Sequence, residues 1–421
     1  MKRTRITSCS LLLLLLTSAR LTGQSYRTFA DERNGIRSAA GFRLGPLKIV
    51  PALRVHDVGR DSNVYYGSEE EAVVADFTGM LAGEFNGYWL VGDSLILTVT
   101  DDPEYLFYLR EQGLRAFTNS FSSGLRFLAL RRFSLSAEYH VRRHARRSTS
   151  EITQLLEDTV EGWEGSLFFE TARGTSLGVR GISDEFRYRD LASEAPDDAY
   201  GRTLDRRESS ILFEFYYRVF SQSFLFVSAG PSRDEFRYPG SSWRNARSFQ
   251  AMGGIRFPLL GRARGQVSLG WKGFTPESPE RKAFSGLVSA TDVSLRFWRL
   301  GVNLGYARDN YYSYYETSYY YVEDRFRGGL SFYLAPFLRL DAEVRHGVLN
   351  YPEPQVIWQD GVPVTVFDRR DVQWIRSLGL VVRVAENTGL GLSYNLYNRT
   401  SNAPGFDIDR GFLGASLTYD F

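Results

Sequence analysis

Four histidines, His56, His140, His144 and His346, are the side chains of this 421-residue chain best suited to acid–base chemistry near neutral pH. His140 and His144 stand among Arg142, Arg143, Arg146 and Arg147, with no activated serine and no acidic pair beside them in the sequence. No catalytic histidine is expected, and the chain reads as a non-enzyme. The histidines do not fall at metal-ligand spacing, and the acidic runs Glu69 to Glu71 and Asp197 to Asp198 lack the pattern of a calcium loop. They read as solvated loop charges with at most loose surface calcium, so neither a metal nor a cofactor is expected. The only cysteine, Cys9, lies in a leucine-rich leader, which leaves the rest of the chain without a thiol nucleophile or a disulfide.

Two other groups of residues have chemistry to offer. Arg142, Arg218, Arg296, Arg339, Arg345 and Arg383 alternate with apolar neighbours, and so do Glu138, Glu214, Asp292, Asp341 and Glu343. If all face one aqueous lumen, they form either an anion-favouring basic ring or a set of cross-strand ion pairs, and pairing is the preferred reading. Tyr311, Tyr312, Tyr314, Tyr315, Tyr319, Tyr320 and Tyr321 form the densest aromatic cluster. They read first as an interfacial girdle, and alternatively as a stacking platform for sugar rings at a pore mouth.

Positioning such residues calls for strands. From about residue 41 onward, apolar and polar residues alternate with period 2 in segments of roughly 10 to 15. Phe133, Leu135, Ala137, Tyr139 and Val141 oppose Ser134, Ser136, Glu138, His140 and Arg142. Leu338, Leu340, Ala342 and Val344 oppose Arg339, Asp341, Glu343 and Arg345. Four charges on one face cannot point into a dry core, so that face must be wet and the other must meet lipid. Short turns are expected near 86–93, 131–132, 172–175, 221–223, 261–264, 298–299, 335–336 and 386–388. Longer polar stretches fall near 57–71, 144–160, 188–207, 237–247, 275–284, 309–325, 350–370 and 398–407. This rhythm predicts an all-β, transmembrane antiparallel outer-membrane β-barrel of about 18 strands, with 16 as the alternative.

Lys2, Arg3 and Arg5 followed by Leu11 to Leu16 have the layout of a secretory signal peptide over 1–23. Residues 24–40 then read as a short periplasmic N-terminal segment, with no plug domain, and 41–421 as the barrel. The last strand, Leu413, Ala415, Leu417, Tyr419 and Phe421, ends on an aromatic carboxyl terminus resembling the insertion signal of outer-membrane proteins. The expected location is the bacterial outer membrane with both termini periplasmic. Expected partners are outer-membrane lipid and lipopolysaccharide, and the barrel-assembly machinery. A net charge of +2, from 51 basic and 49 acidic residues, gives no case for nucleic acid.

One local pattern goes beyond strand rhythm: a strand Leu47 to Val55, then Asp61, Ser62, Asn63, Val64 and Tyr65, an acidic stretch, and Asp76 opening the next strand. It resembles the beta-barrel porin type 2 family, and Pro103, Tyr105 and Tyr108 extend the likeness over about a third of the chain. The resemblance implies an exopolysaccharide-associated channel with polysaccharide-export components as partners, and it transfers no catalytic residue. The expectation is therefore a porin-like channel for polysaccharide export or polar solutes. The alternatives are a structural or adhesive barrel with a blocked lumen, and a barrel-rim hydrolase.

Overall fold

The computed structural model describes residues 28–38, 41–68, 73–146, 150–151, 156–190, 200–220, 223–260, 262–313, 318–359 and 362–420. The expected signal segment 1–23, Tyr314, Tyr315 and Phe421 lie outside the described residues.

Eighteen antiparallel strands form the wall: β1 (Leu47–Asp61), β2 (Asp76–Val91), β3 (Leu95–Tyr108), β4 (Ala116–Ala129), β5 (Phe133–Arg146), β6 (Leu156–Glu170), β7 (Ser176–Asp190), β8 (Arg206–Phe220), β9 (Ser223–Phe236), β10 (Ala246–Leu260), β11 (Ala263–Pro276), β12 (Phe284–Phe297), β13 (Leu300–Tyr312), β14 (Tyr320–Ala335), β15 (Leu338–Asn350), β16 (Arg370–Ala385), β17 (Thr388–Ser401) and β18 (Ile408–Asp420). Each strand pairs with its sequence neighbour, and β18 returns to β1 in the register Ala52 to Asp420 through Asp61 to Phe412. Closure leaves no free sheet edge around the ring except above Ser289 and Arg308, where β12 and β13 part, and closure is the condition a spanning sheet must meet in lipid. The alternation of residue types becomes an alternation of faces. Leu135, Phe213, Leu340, Leu378 and Leu413 point outward and exposed, while Ser134, Glu214 and Tyr216 point inward and are buried. The chain is a transmembrane β-barrel.

All eight expected short turns join strands, and they share one rim. Nine loops occupy the other rim. The sequence had marked eight, and the ninth, 109–115, was missed because it is brief and partly coiled as a 3-10 turn at Gln112–Leu114. An additional two-stranded hairpin, Gln355–Gln359 with Val362–Val366, stands within the loop between β15 and β16.

The segment that resembles a family motif is a clasp for the barrel seam. Ser62 N–H donates to the Gly411 carbonyl (2.9 Å), and Gly411 N–H returns a bond to the Ser62 hydroxyl (2.7 Å). Asn63 Nδ2 donates to the Asp409 carbonyl (3.1 Å), and Arg410 grips the Asp61 carboxylate through Nε (2.9 Å). The Asp76 carboxylate holds the next loop by accepting the Arg110 and Glu111 N–H groups (3.0 and 2.9 Å). Below Asp420, where β18 ends, Phe42–Leu44 pairs with Leu47–Ile49 and continues the wall.

The described part of the expected periplasmic segment does not stay outside. Residues Phe29–Ser38 form a helix, α1, capped by Thr28, whose hydroxyl accepts the Asp31 N–H (3.2 Å), with Asp31 and Glu32 in its first turn and Arg37 in its last. Phe29 and Ile36 bury against Ile96, with Tyr88, Leu90 and Leu128 around them. All four wall residues belong to the inward face, so α1 lies in the lumen at the short-turn rim.

Candidate channel lumen

A chamber of about 1930 Å³ runs from mid-barrel to the short-turn rim, where Pro336, Asn387 and Asp420 frame it. Strand direction fixes its lining, because every second residue of each strand points inward. The β1–β7 side supplies Glu84, Glu138 and Glu164 with Arg54 and Arg180, joined by Glu32 of α1 and Arg126. The opposite side supplies Arg264, Arg327, Arg339, Arg345 and Arg383 against only Asp341 and Glu343, with Glu386 at the rim. Charge is thus uneven across the lumen: arginines outnumber carboxylates on the second wall, while the first is nearly balanced.

Among the expected pore-lining residues, Glu138, Arg339, Asp341, Glu343, Arg345 and Arg383 line the chamber. Glu343 is shared by Arg327 (2.8 Å) and Arg345, and Arg339 pairs with Asp341 (2.9 Å). Arg383 has no ion-pair partner among the described residues, and Arg296 lies over the Tyr333 ring (5.3 Å). Asp292 faces inward on β12 beside Gln266. Glu214 is buried under Arg180 (3.2 Å), and Arg218 holds Asp31 of α1 (2.9 Å), so these two build the wall and its helix. Arg142 sits on the inward face of β5, opposite Ser120.

Helix α1 is pinned across the short-turn end. Arg126 bridges Glu32 and Glu170, whose carboxylate also accepts the Phe29 N–H (3.3 Å). Arg33 pairs with Asp93 (2.6 Å), and Lys48 Nζ donates to the Ile36 carbonyl (2.8 Å).

The loop end is filled. Ser150 and Glu151, from the loop between β5 and β6, reach strands about half a turn around the ring. The Ser150 hydroxyl donates to Glu323 (3.0 Å) on β14, and the Glu151 carbonyl accepts from Arg399 (2.7 Å) on β17. The Glu151 carboxylate accepts from the Ser313 hydroxyl (2.7 Å). Beside this strap, Arg369 and Arg399, both with fully buried side chains, converge on Asp371. Burial beside the Asp371 carboxylate holds the loop residue Tyr351 in its neutral form, its pKa well above the usual phenol value.

The described tyrosines of the cluster, Tyr311, Tyr312, Tyr319, Tyr320 and Tyr321, pack inside the loop end and not in a girdle. Tyr319, Tyr320 and Tyr321 are 0%, 4% and 1% exposed. On either side of the β13–β14 tip the chain turns inward: Tyr312 donates to Asp234 (2.7 Å) on β9, and the Tyr319 hydroxyl donates to the Arg244 carbonyl (2.7 Å). Tyr319 and Tyr320 pack on Phe274, Phe284 and Val288, and Tyr311 and Tyr321 pack on Leu349 and Tyr351. The rings that do face outward near the rims are others: Phe77, Phe117, Trp271, Trp89, Phe127 and Trp298. Tyr419 takes its place on β18 opposite Leu53.

No family model matches the chain, and no curated protein does. Among solved structures, the chain is similar to the outer membrane protein OpdK of Pseudomonas aeruginosa at 12% identity, over 90% of this chain and 100% of that one, with a TM-score of 0.48. OccAB3 of Acinetobacter baumannii aligns at 14% identity over 90% and 100%, with a TM-score of 0.49. OccK3 of Pseudomonas aeruginosa aligns at 14% over 89% and 95%, with a TM-score of 0.46.

His140 and His144 have partners on neighbouring strands that sequence adjacency hid. His140 Nε2 is 2.9 Å from the buried Asp184 carboxylate, and Gly162 is what leaves room, since a Cβ there would stand 1.9 Å from that oxygen. His144 Nε2 is 3.1 Å from the Ser120 hydroxyl, and Asp158 stands opposite His144 across the β5–β6 ladder. Strand register, unreadable from one segment alone, brings these groups together. His56 contacts Asp57 (3.0 Å), and His346 stacks on Trp374 at 4.2 Å. Among the described residues, no cluster of three or more metal-binding side chains occurs.

Proposed function

We propose that the protein is a non-enzymatic, porin-like channel of the bacterial outer membrane that passes polar solutes, with the short turns and termini facing the periplasm and the loops outside. The observation that carries this reading is the charge-lined chamber, with one arginine-rich wall, opening at the short-turn rim. A lining of mostly paired charges with an arginine excess on one side attracts a polar solute while letting it leave, as conduction requires. The loop-end strap at Ser150 and Glu151 is the resting closure of the outer mouth. Exopolysaccharide is the cargo implied by the resemblance at Asp61 to Tyr65. Those residues clasp the seam, so cargo identity has to be read from transport itself.

Planar-bilayer recording tests the proposal. Wild-type protein is expected to give small stepwise currents, and a Ser150→Gly, Glu151→Gly variant larger ones. Absence of steps from both sinks the channel and favours the second reading, a structural or adhesive barrel, for which the filled loop end speaks.

A further inference from the structure

The ladder between β12 and β13 stops short. It runs from Phe297 and Leu300 at the short-turn rim only as far as Ser289 and Arg308. Above that point Phe284–Val288 stays bonded to β11, while Asp309–Tyr312 stays bonded to β14 and follows the tyrosine tip into the barrel. Asp309 accordingly reaches Lys272 of β11 (2.8 Å), passing behind β12. One lip of the wall is tucked behind the other, and the outer surface carries a notch.

The notch has a defined lining and depth. A cavity of about 350 Å³ lies at its foot, between Leu269, Leu287, Val288, Ser289, Tyr306 and Arg308. Leu269 and Leu287 are outward and exposed. Tyr306 and Arg308 share the Asp324 carboxylate (2.8 and 2.7 Å), yet the Arg308 side chain keeps 39% exposure and has N–H groups to spare. From residue 297 to residue 289 the strand rises ~20 Å, at ~3.3 Å per residue and a tilt of ~40°. The apolar band of such barrels is ~25 Å tall. Arg308 therefore lies where acyl chains give way to headgroups, in the leaflet on the loop side.

We propose that this notch is a lateral lipid-binding site: an acyl chain lies against Leu269 and Leu287, and Arg308 with the Tyr306 hydroxyl holds the anionic phosphate of the same lipid. An open strand edge at this depth needs polar partners, and phosphate oxygens supply acceptors that hydrocarbon cannot. The site is independent of what the lumen carries.

Native mass spectrometry of the full-length barrel in non-ionic detergent tests it, with dioleoyl phosphatidic acid and dioleoyl phosphatidylcholine as probes. Wild type is expected to retain one phosphatidic acid about tenfold more tightly than phosphatidylcholine, the scale of one charge-assisted hydrogen bond. Leu287→Trp, which fills the notch, should lose both lipids. Arg308→Gln combined with Asp324→Asn should bind the two lipids equally. If Leu287→Trp fails the heat-modifiability test of folding, Leu269→Trp fills the same space. Equal retention of both lipids by wild type, or wild-type retention in the filled variants, overturns the site.

Discussion

Asp371 is the residue on which the loop end turns. It accepts from Arg369 (2.8 Å), Arg399 and Ser401 (2.6 Å), and both arginine side chains are fully buried. Removing the carboxylate would strand two cations away from water, a penalty of about 3–5 kcal/mol for breaking a buried pair. Asp371→Asn should lower the unfolding free energy of the barrel in vesicles, read from urea titration, by that scale, while Glu386→Gln, an exposed rim carboxylate, should leave it unchanged. Asp205 makes the opposite case, because its native site disfavours charge. Burial pushes this loop carboxyl up to about 6, although the Tyr188 N–H (2.7 Å) and nearby Arg202 pull the other way. A carboxyl that holds its proton more tightly when folded stabilises the fold at low pH. That contribution is lost as pH climbs from the ordinary carboxylate range to about 6. The stability of wild type relative to Asp205→Asn should accordingly fall between about pH 4 and 6 and stay level above 7.

Elements explain what the sequence could and could not disclose. Strands and short turns were legible because a two-sided wall forces a period of 2, and Phe133 to Arg142 states that rule in ten consecutive residues. The inward fold of the tyrosine tip was not, since an interfacial ring and a buried ring with a satisfied hydroxyl look alike in sequence; only the partners Asp234 and Arg244 separate them. The contact between Ser120 and His144 was not foreseen because it depends on the β4–β5 register. Helix α1 was hidden by its brevity, one capped segment without a neighbour to mark its apolar face. That face now gives a prediction. Ile36 is 7% exposed against Ile96, and burying a side chain of this size contributes ~1.5–3 kcal/mol. Ile36→Asp should therefore release α1 from the lumen and raise single-channel conductance. An unchanged conductance would mean that the helix does not narrow the path.

At the scale of the whole molecule, the lumen behaves as a field. Many of its charges are neutralised locally, but Arg264 and Arg383 line the basic wall with no ion-pair partner among the described residues, so replacing them strands no described carboxylate. A unit charge ~10 Å from a passing ion is worth about 0.4 kcal/mol in water, which is about twofold in local anion concentration. Each charge attracts anions and repels cations alike, and at 0.1 M, where the screening length is ~10 Å, each effect shrinks to about 0.15 kcal/mol, so Arg264→Gln with Arg383→Gln should lower the anion-to-cation permeability ratio about threefold, read as a cation-ward shift of the reversal potential in a potassium chloride gradient near 0.1 M. At 1 M, where the screening length falls to ~3 Å, the difference between variant and wild type should vanish. A shift that survived high salt would point instead to a change in the shape of the path, because narrowing and charge act on permeation differently and only charge is screened.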